Sequence, residues 1–199
     1  MSIRSICLVD RIHSDCAQYL AKVFNGSLAV NDTTLLFDVT PAAAIEEAAD
    51  YLFKNHDLSS FHYSIDGRGG WLGVNSSLNA ELRNAMQDLC TGSDDGTDIE
   101  IPDINRVNHL EYRQINHLSE EHAKLHAKMR KGAKPEKGDG FLVIDIVPAT
   151  TALWLANEAV TSAQVSISDV KCTGSSGKIF LIGESEQLAV VTDLLDELV

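Results

Sequence analysis

One stretch of this chain, from Thr34 to about Leu89, occurs again from about Gly140 to Leu198, and that repetition limits the possible folds more than any other feature. Sliding the first copy by a constant 107 positions places Leu35 on Leu142, Asp38 on Asp145, Pro41 on Pro148 and Ala42 on Ala149. The same offset pairs Ala49 with Ala156, Ser59 with Ser166, Gly67 with Gly174 and Gly70 with Gly177. Each copy reads apolar run, proline, alanine-rich helical stretch, alternating stretch, glycine-rich turn, apolar run, helical stretch. Apolar residues recurring every two positions mark strands and every three to four mark helices. The repeated unit is therefore strand–helix–strand–turn–strand–helix, used twice.

The repetition divides the 199 residues into two domains, expected at 1–92 and 93–199, each near the usual domain size. The expected fold class is α/β, an α+β sandwich in which an antiparallel sheet is flanked by helices. A unit this small buries a modest core and gains from packing against its twin or another subunit. Ahead of the first copy, Ile3–Ile12 reads as a strand and Cys16–Phe24 as a helix, stopped by Asn25-Gly26-Ser27. Thr40-Pro41 is expected to start the next helix with proline at its first position. Thr91–Asp98 is polar and without periodicity, the expected linker. Beyond it, Ile99–Val107 reads as the counterpart of the first strand, and His109–Arg130 as a longer polar helix.

The net charge of −13, with Lys128–Lys137 as the one basic run, disfavours a nucleic-acid partner. No apolar run approaches the roughly 20 residues of a membrane span, so no membrane partner is expected. The first residues lack the apolar core of a secretory signal, which makes the cytoplasm the expected location. Cys7, Cys16, Cys90 and Cys172 are scattered and read as reduced, packed thiols. His109, His117, His122 and His126 cluster in sequence, and His122 and His126 lie one helical turn apart. Without an HExxH pattern, and on a Lys/Glu-rich face, they read as a solvated helix and not as a metal site. No Ser/His/Asp order, Walker loop or dinucleotide fingerprint is present, so no catalytic residue and no cofactor is expected.

The repeated motifs resemble those of bacterial microcompartment shell proteins. Asp38-Val-Thr-Pro with Glu47–Lys54, and Asp145-Ile-Val-Pro with Leu155–Val160, look like that family's first strand and helix. Asp10-Arg11-Ile12-His13 and Asn105–His109 resemble its terminal strand signature. Because these precede each copy, the resemblance is to the tandem, circularly permuted type, similar to the ethanolamine-utilisation tandem subunit. It implies a homotrimer whose six domains close a pseudo-hexamer, tile with other microcompartment shell proteins and surround a central pore. Two copies of one domain can repeat a head-to-tail contact that closes into a ring.

Alone, the glycine-rich turns read as hairpins. The resemblance implies that they line the pore: Asp66, Gly67, Arg68, Gly69 and Gly70 from one domain, and Thr173, Gly174, Ser175, Ser176 and Gly177 from the other. It further implies an assembly edge at Lys54, Arg11 and Arg106, small metabolites crossing the pore, and enzymes enclosed by the shell. Some tandem relatives hold an iron–sulfur cluster through one cysteine per chain. Cys172 precedes the second turn, but three thiolates fall short of the usual four and a plain thiol is expected. The competing class is a duplicated α/β small-molecule-binding regulatory module, which would show saturable ligand binding and no tiling.

Overall fold

The computed structural model describes residues 1–24, 28–67, 69–91 and 102–198, so the expected helix stop at 25–27 and the expected linker Thr91–Asp98, apart from Thr91 at the end of a helix, lie outside the described residues. Contacts divide the chain into two compact units, Met1–Arg106 and Val107–Val199. The first contains β1 (Ser2–Val9), α1 (Ser14–Phe24), β2 (Thr33–Thr40), α2 (Ala44–Asn55), β3 (Ser59–Asp66), β4 (Gly69–Ser76) and α3 (Asn79–Thr91). The second contains β5 (His109–Ile115), α4 (Glu120–Met129), β6 (Gly140–Val147), α5 (Thr151–Ser162), β7 (Ser166–Lys171), β8 (Gly177–Gly183) and α6 (Ser185–Asp196). Each unit holds a four-stranded, wholly antiparallel sheet, ordered β1-β2-β4-β3 and β5-β6-β8-β7.

Alternation along β2 sends Leu35, Phe37 and Val39 to one face of the first sheet. There they meet Ile6 and Leu8 of β1, Leu72 and Val74 of β4, and the inner faces of α2 (Ile45, Ala48, Leu52) and α3 (Leu82, Ala85, Leu89). Burying each such large side chain contributes about 1.5–3 kcal/mol. The other face is covered from α1, where Phe24 lies 6.4 Å from Phe61 and 4.4 Å from His62. In the second unit, Phe141, Phe180 and Ile182 pack with Leu118 and Ala123 on the α4 side.

Three expectations change. The second unit's first strand is His109–Ile115, whereas 102–108 hold no strand and 99–101 lie outside the described residues. The expected helix over His109–Arg130 is thus a strand followed by the ten-residue α4. β5 is an edge strand with several exposed polar residues, so its composition hid its alternation. Proline is not the first helical residue either: Thr40-Pro41 and Val147-Pro148 are both cis, and α2 and α5 begin three residues later. Segment 102–106 belongs to the first unit, where Asn105 donates its backbone N–H to Ile6 and exchanges side-chain bonds of 2.8 Å with both backbone groups of Leu8. An exposed strand edge is thereby covered.

The repeat is structural, with a slip. The offset of 107 carries β2 onto β6 and α2 onto α5, but a residue is lost before the last helix, so Leu82, Ala85 and Leu89 correspond to Leu188, Val191 and Leu195. Side chains at equivalent sites trade volume. On β4, Gly73 lies under the Phe61 ring of β3, and a Cβ there would sit 2.6 Å from that ring. At the matching sites β8 carries Phe180 and β7 carries the small Ser168. Gly73→Phe alone is expected to destabilise the protein by at least the roughly 1–3 kcal/mol of an overpacked core. Adding Phe61→Ser should recover part of it, giving a coupling of about 0.5–3 kcal/mol in denaturant titrations of the single and double variants.

Candidate functional site

The two glycine-rich turns are the hairpin ends β3–β4 and β7–β8. In the first, Asp66 and Gly67 are exposed and Gly67 adopts φ +57°, a left-handed conformation that suits glycine. Arg68 lies outside the described residues. In the second, Gly174 has φ +98° beside Lys171, and Ser175 is exposed. Thr173, Gly174 and Ser176 are partly exposed, so hydroxyls and backbone form this tip. Gly70 and Gly177 differ from the tips in being buried. A Cβ on Gly70 would meet the Ala42 carbonyl at 2.5 Å and Ile45 Cβ at 2.7 Å. On Gly177 it would meet Ala149 O at 2.8 Å and Ala152 Cβ at 2.7 Å. These glycines let the start of the preceding helix, α2 or α5, rest against the hairpin's second strand.

Each hairpin is rooted on an acid that the sequence repeats but whose role it does not reveal. Asp38 is mostly buried and lies opposite Trp71 on β4. Its partner is Arg4, 2.6 Å away and set at the bulge in β1. The Arg4 guanidinium also lies over the Trp71 ring at 5.9 Å, and Gly69 leaves room for both side chains. Burial raises the Asp38 carboxyl above its ordinary range, although Arg4 pulls it down through a hydrogen bond and its charge. In the second unit Asp145 lies opposite Lys178, which occupies the place of Trp71 and forms the ion pair itself. The signal available beforehand was the repetition of the aspartate; the exchange of its partner left none.

Lys54 sits exposed in the last turn of α2 and pairs with Asp50 at 2.6 Å. At the matching site Thr161 bonds back to its own helix at Asn157 O. Arg11 follows β1, while Arg106 precedes β5 within 3.7 Å of Asp103, so the two arginines do not occupy matching places. Cys172 is buried, and burial pushes its thiol up to about 12, leaving it neutral and packed at neutral pH. His109 lies on β5 and His117 in the turn before α4; only His122 and His126 share the helix. Among the described residues, no group of three or more His, Cys, Asp or Glu side chains could hold a metal, and no helix is long and apolar enough to cross a membrane.

Residues 3–94 match the family model of the CsoS1D N-terminal domain, covering most of the first unit. Over 191 residues the chain is 24% identical to the carboxysome shell protein CcmP of Synechococcus elongatus, covering 94% of this chain and 87% of that one. Over 186 residues it is 23% identical to the carboxysome shell protein CsoS1D of Prochlorococcus marinus, covering 92% and 71%. Among solved structures, the fused permuted hexameric shell protein MSM0275 of the RMM microcompartment superposes with a TM-score of 0.85 at 23% identity, covering 100% of this chain and 96% of that one. The fold is that of tandem-domain microcompartment shell proteins. The double-ringed trimeric shell protein MSM0271 agrees, with a TM-score of 0.87 at 24% identity over 98% and 94% of the two chains.

Two outcomes follow for the hairpin roots. Gly70→Ala and Gly177→Ala should each cost about 1–3 kcal/mol, because backbone must move to admit the methyl group, whereas Ser175→Ala at the exposed tip should stay within about 0.5 kcal/mol. Chemical denaturation of the three variants measures this. Arg4→Met strands a largely buried carboxylate, a loss of about 1–3 kcal/mol at pH 7. A raised folded-state pKa means the protonated acid suits the fold better than the ionised one. The penalty should therefore shrink as pH falls toward 4, which the same denaturation series repeated across pH will show.

Proposed function

We propose that this chain is a structural subunit of a bacterial microcompartment shell, within the cytoplasm, and acts without catalysis. The single observation that carries the reading is that two microcompartment shell proteins superpose on it over nearly its whole length, both units included, at TM-scores of 0.85 and 0.87. Its sequence relatives are carboxysome shell proteins over more than nine-tenths of the chain. Three copies would close a ring of six domains, because a two-domain chain repeating one head-to-tail contact needs three copies to complete it.

In that ring the hairpins Asp66–Gly70 and Thr173–Gly177 face the axis and frame a pore for small polar metabolites. Gly67 and Gly174 present bare backbone there, and Arg68 and Asp66 alternate around the rim with Ser175 and Ser176. Selection would rest on width, backbone donors and charge. Lys54, Arg11 and Arg106 would lie at the outer edge, against neighbouring shell proteins, with the enclosed enzymes on one side of the sheet. The exposure of Lys54 supports this placement.

Light scattering coupled to size exclusion should give a mass of about 65 kDa, three times the 21.7 kDa chain. A stable monomer at high concentration would overturn the reading. Lys54→Ala should abolish sheets in negative-stain micrographs while leaving the trimer intact. Arg68→Ala should keep both trimer and sheets but weaken binding of anions at the axis. The reverse pattern would exchange the assignments of rim and edge.

A further inference from the structure

A cluster in the second unit has no part in pore, edge or core as described so far. α4 is short and polar, and Ala123 is its one fully buried residue. Beside Ala123, a row at successive turns meets the outer face of the sheet: His122, His126 and the cap residue Arg130. The His126 ring lies 4.4 Å from Phe141 of β6 and 6.3 Å from Phe180 of β8, centroid to centroid. The Arg130 guanidinium sits 3.4 Å above the Phe180 ring and 3.6 Å from Asp169 of β7.

The hydrogen bonds within this row fix where the protons are. Arg130 is always a donor, and its Nε reaches His126 Nδ1 at 3.3 Å, so that nitrogen carries no proton. The proton of neutral His126 is therefore on Nε2, which stands 3.0 Å from His122 Nε2 and donates to it. His122 Nε2 is in turn bare. A further proton on either of these bare nitrogens would set N–H against N–H and break one of the two bonds. Binding a metal between the histidines would require both Nε2 atoms bare and a proton on His126 Nδ1, facing the Arg130 donor, so the cluster is built to order a proton and not to hold a cation.

We propose that the Arg130–His126–His122 relay is a pH-sensitive clasp, in which uptake of a proton by the histidine pair releases α4 from the outer face of its sheet. The charged groups around it point the same way. Arg130 and His122 are the titratable groups facing His126, and burial together with these two neighbours lowers its pKa. β6 and β8 present the uncharged rings of Phe141 and Phe180 to it. Asp169 on β7 is engaged by Arg130, Lys134 reaches the Arg130 carbonyl from the following loop, and Glu120 and Glu121 are occupied by Lys124. A histidine whose folded-state pKa is lowered contributes stability that is present above its unfolded value, near 6.5, and is lost as pH falls through the folded value. Release would loosen the helix carrying the exposed Leu125 and Met129, changing that outer face.

The test uses the intact protein in whatever oligomeric state it adopts, so it stands apart from the shell reading. Amide exchange over α4, corrected for intrinsic rates, should lose protection as pH falls from 7.5 to 5, by up to about tenfold per pH unit, the slope for one proton. His126→Phe keeps the ring stacking but removes the proton site, and should flatten that dependence. An α4 whose protection does not change with pH, or an equal dependence in His126→Phe, would overturn the proposal. Should that variant fail to fold, the imidazole resonances of the unaltered protein decide the matter. A His126 titration midpoint below 6.5 supports the clasp, and one at or above 6.5 overturns it.

Discussion

Both units depend on the closeness of a helix start to a strand. At Gly70 and Gly177 the turn that begins α2 or α5 lies so near the sheet that a single added carbon would fall 2.5–2.8 Å from a backbone carbonyl. Backbone cannot yield as a side-chain tip does, so the position admits glycine. With that approach set, the inner faces of α2 and α5 meet Phe37, Val39 and their counterparts, and the hairpin is left projecting beyond the covered sheet. The hairpin tip is then free to vary, while its root is not.

The two copies show what this leaves open. Positions dictated by backbone geometry recur: the cis prolines, the two buried glycines, the aspartate opposite the hairpin strand. Positions that solve a packing or charge problem recur as solved problems with different residues. Arg4 neutralises Asp38 from the bulge of β1, whereas Lys178 neutralises Asp145 from the neighbouring strand. Phe61 fills the space over Gly73, and Phe180 fills it from the other strand above Ser168. Glu81 accepts the backbone N–H of Asp57 as Gln187 accepts that of Gln164, which is how the one-residue slip before the last helix can be seen.

Most of the fold was legible because the repetition registers side chains that geometry fixes: Asp38, Pro41, Gly67 and Gly70 find their partners at one offset. β5 was not legible because its residues are polar and a more apolar stretch lies just ahead of it. Composition placed a strand at 99–107, yet the offset that succeeds elsewhere carries Ser2 onto His109, where β5 begins. The polar residues of His109–Ile115 belong to an exposed edge, while in the first unit segment 102–106 covers the matching edge and β1 could become apolar. The acid roots of the hairpins were legible as a repeat but not as ion pairs, since their partners come from non-matching strands. The Arg130–His126–His122 row was legible only as a spacing, because its side chains are set in place by Phe141, Phe180 and Asp169 from three separate strands.

Duplication followed by this kind of exchange allows the two hairpins to diverge in charge without disturbing either core. Where one copy carries Arg68, the other carries Ser175, and the roots beneath them keep the same acid under different cations. In a single-domain subunit every hairpin around a six-fold ring would be identical, and six like charges would crowd one axis. Repulsion between charges in a confined, poorly solvated space rises steeply as they approach. In the ring proposed above, a chain with two unlike hairpins would place three Arg68-bearing tips between three that carry serines. Duplication thereby widens the range of rim charges that a closed ring can tolerate.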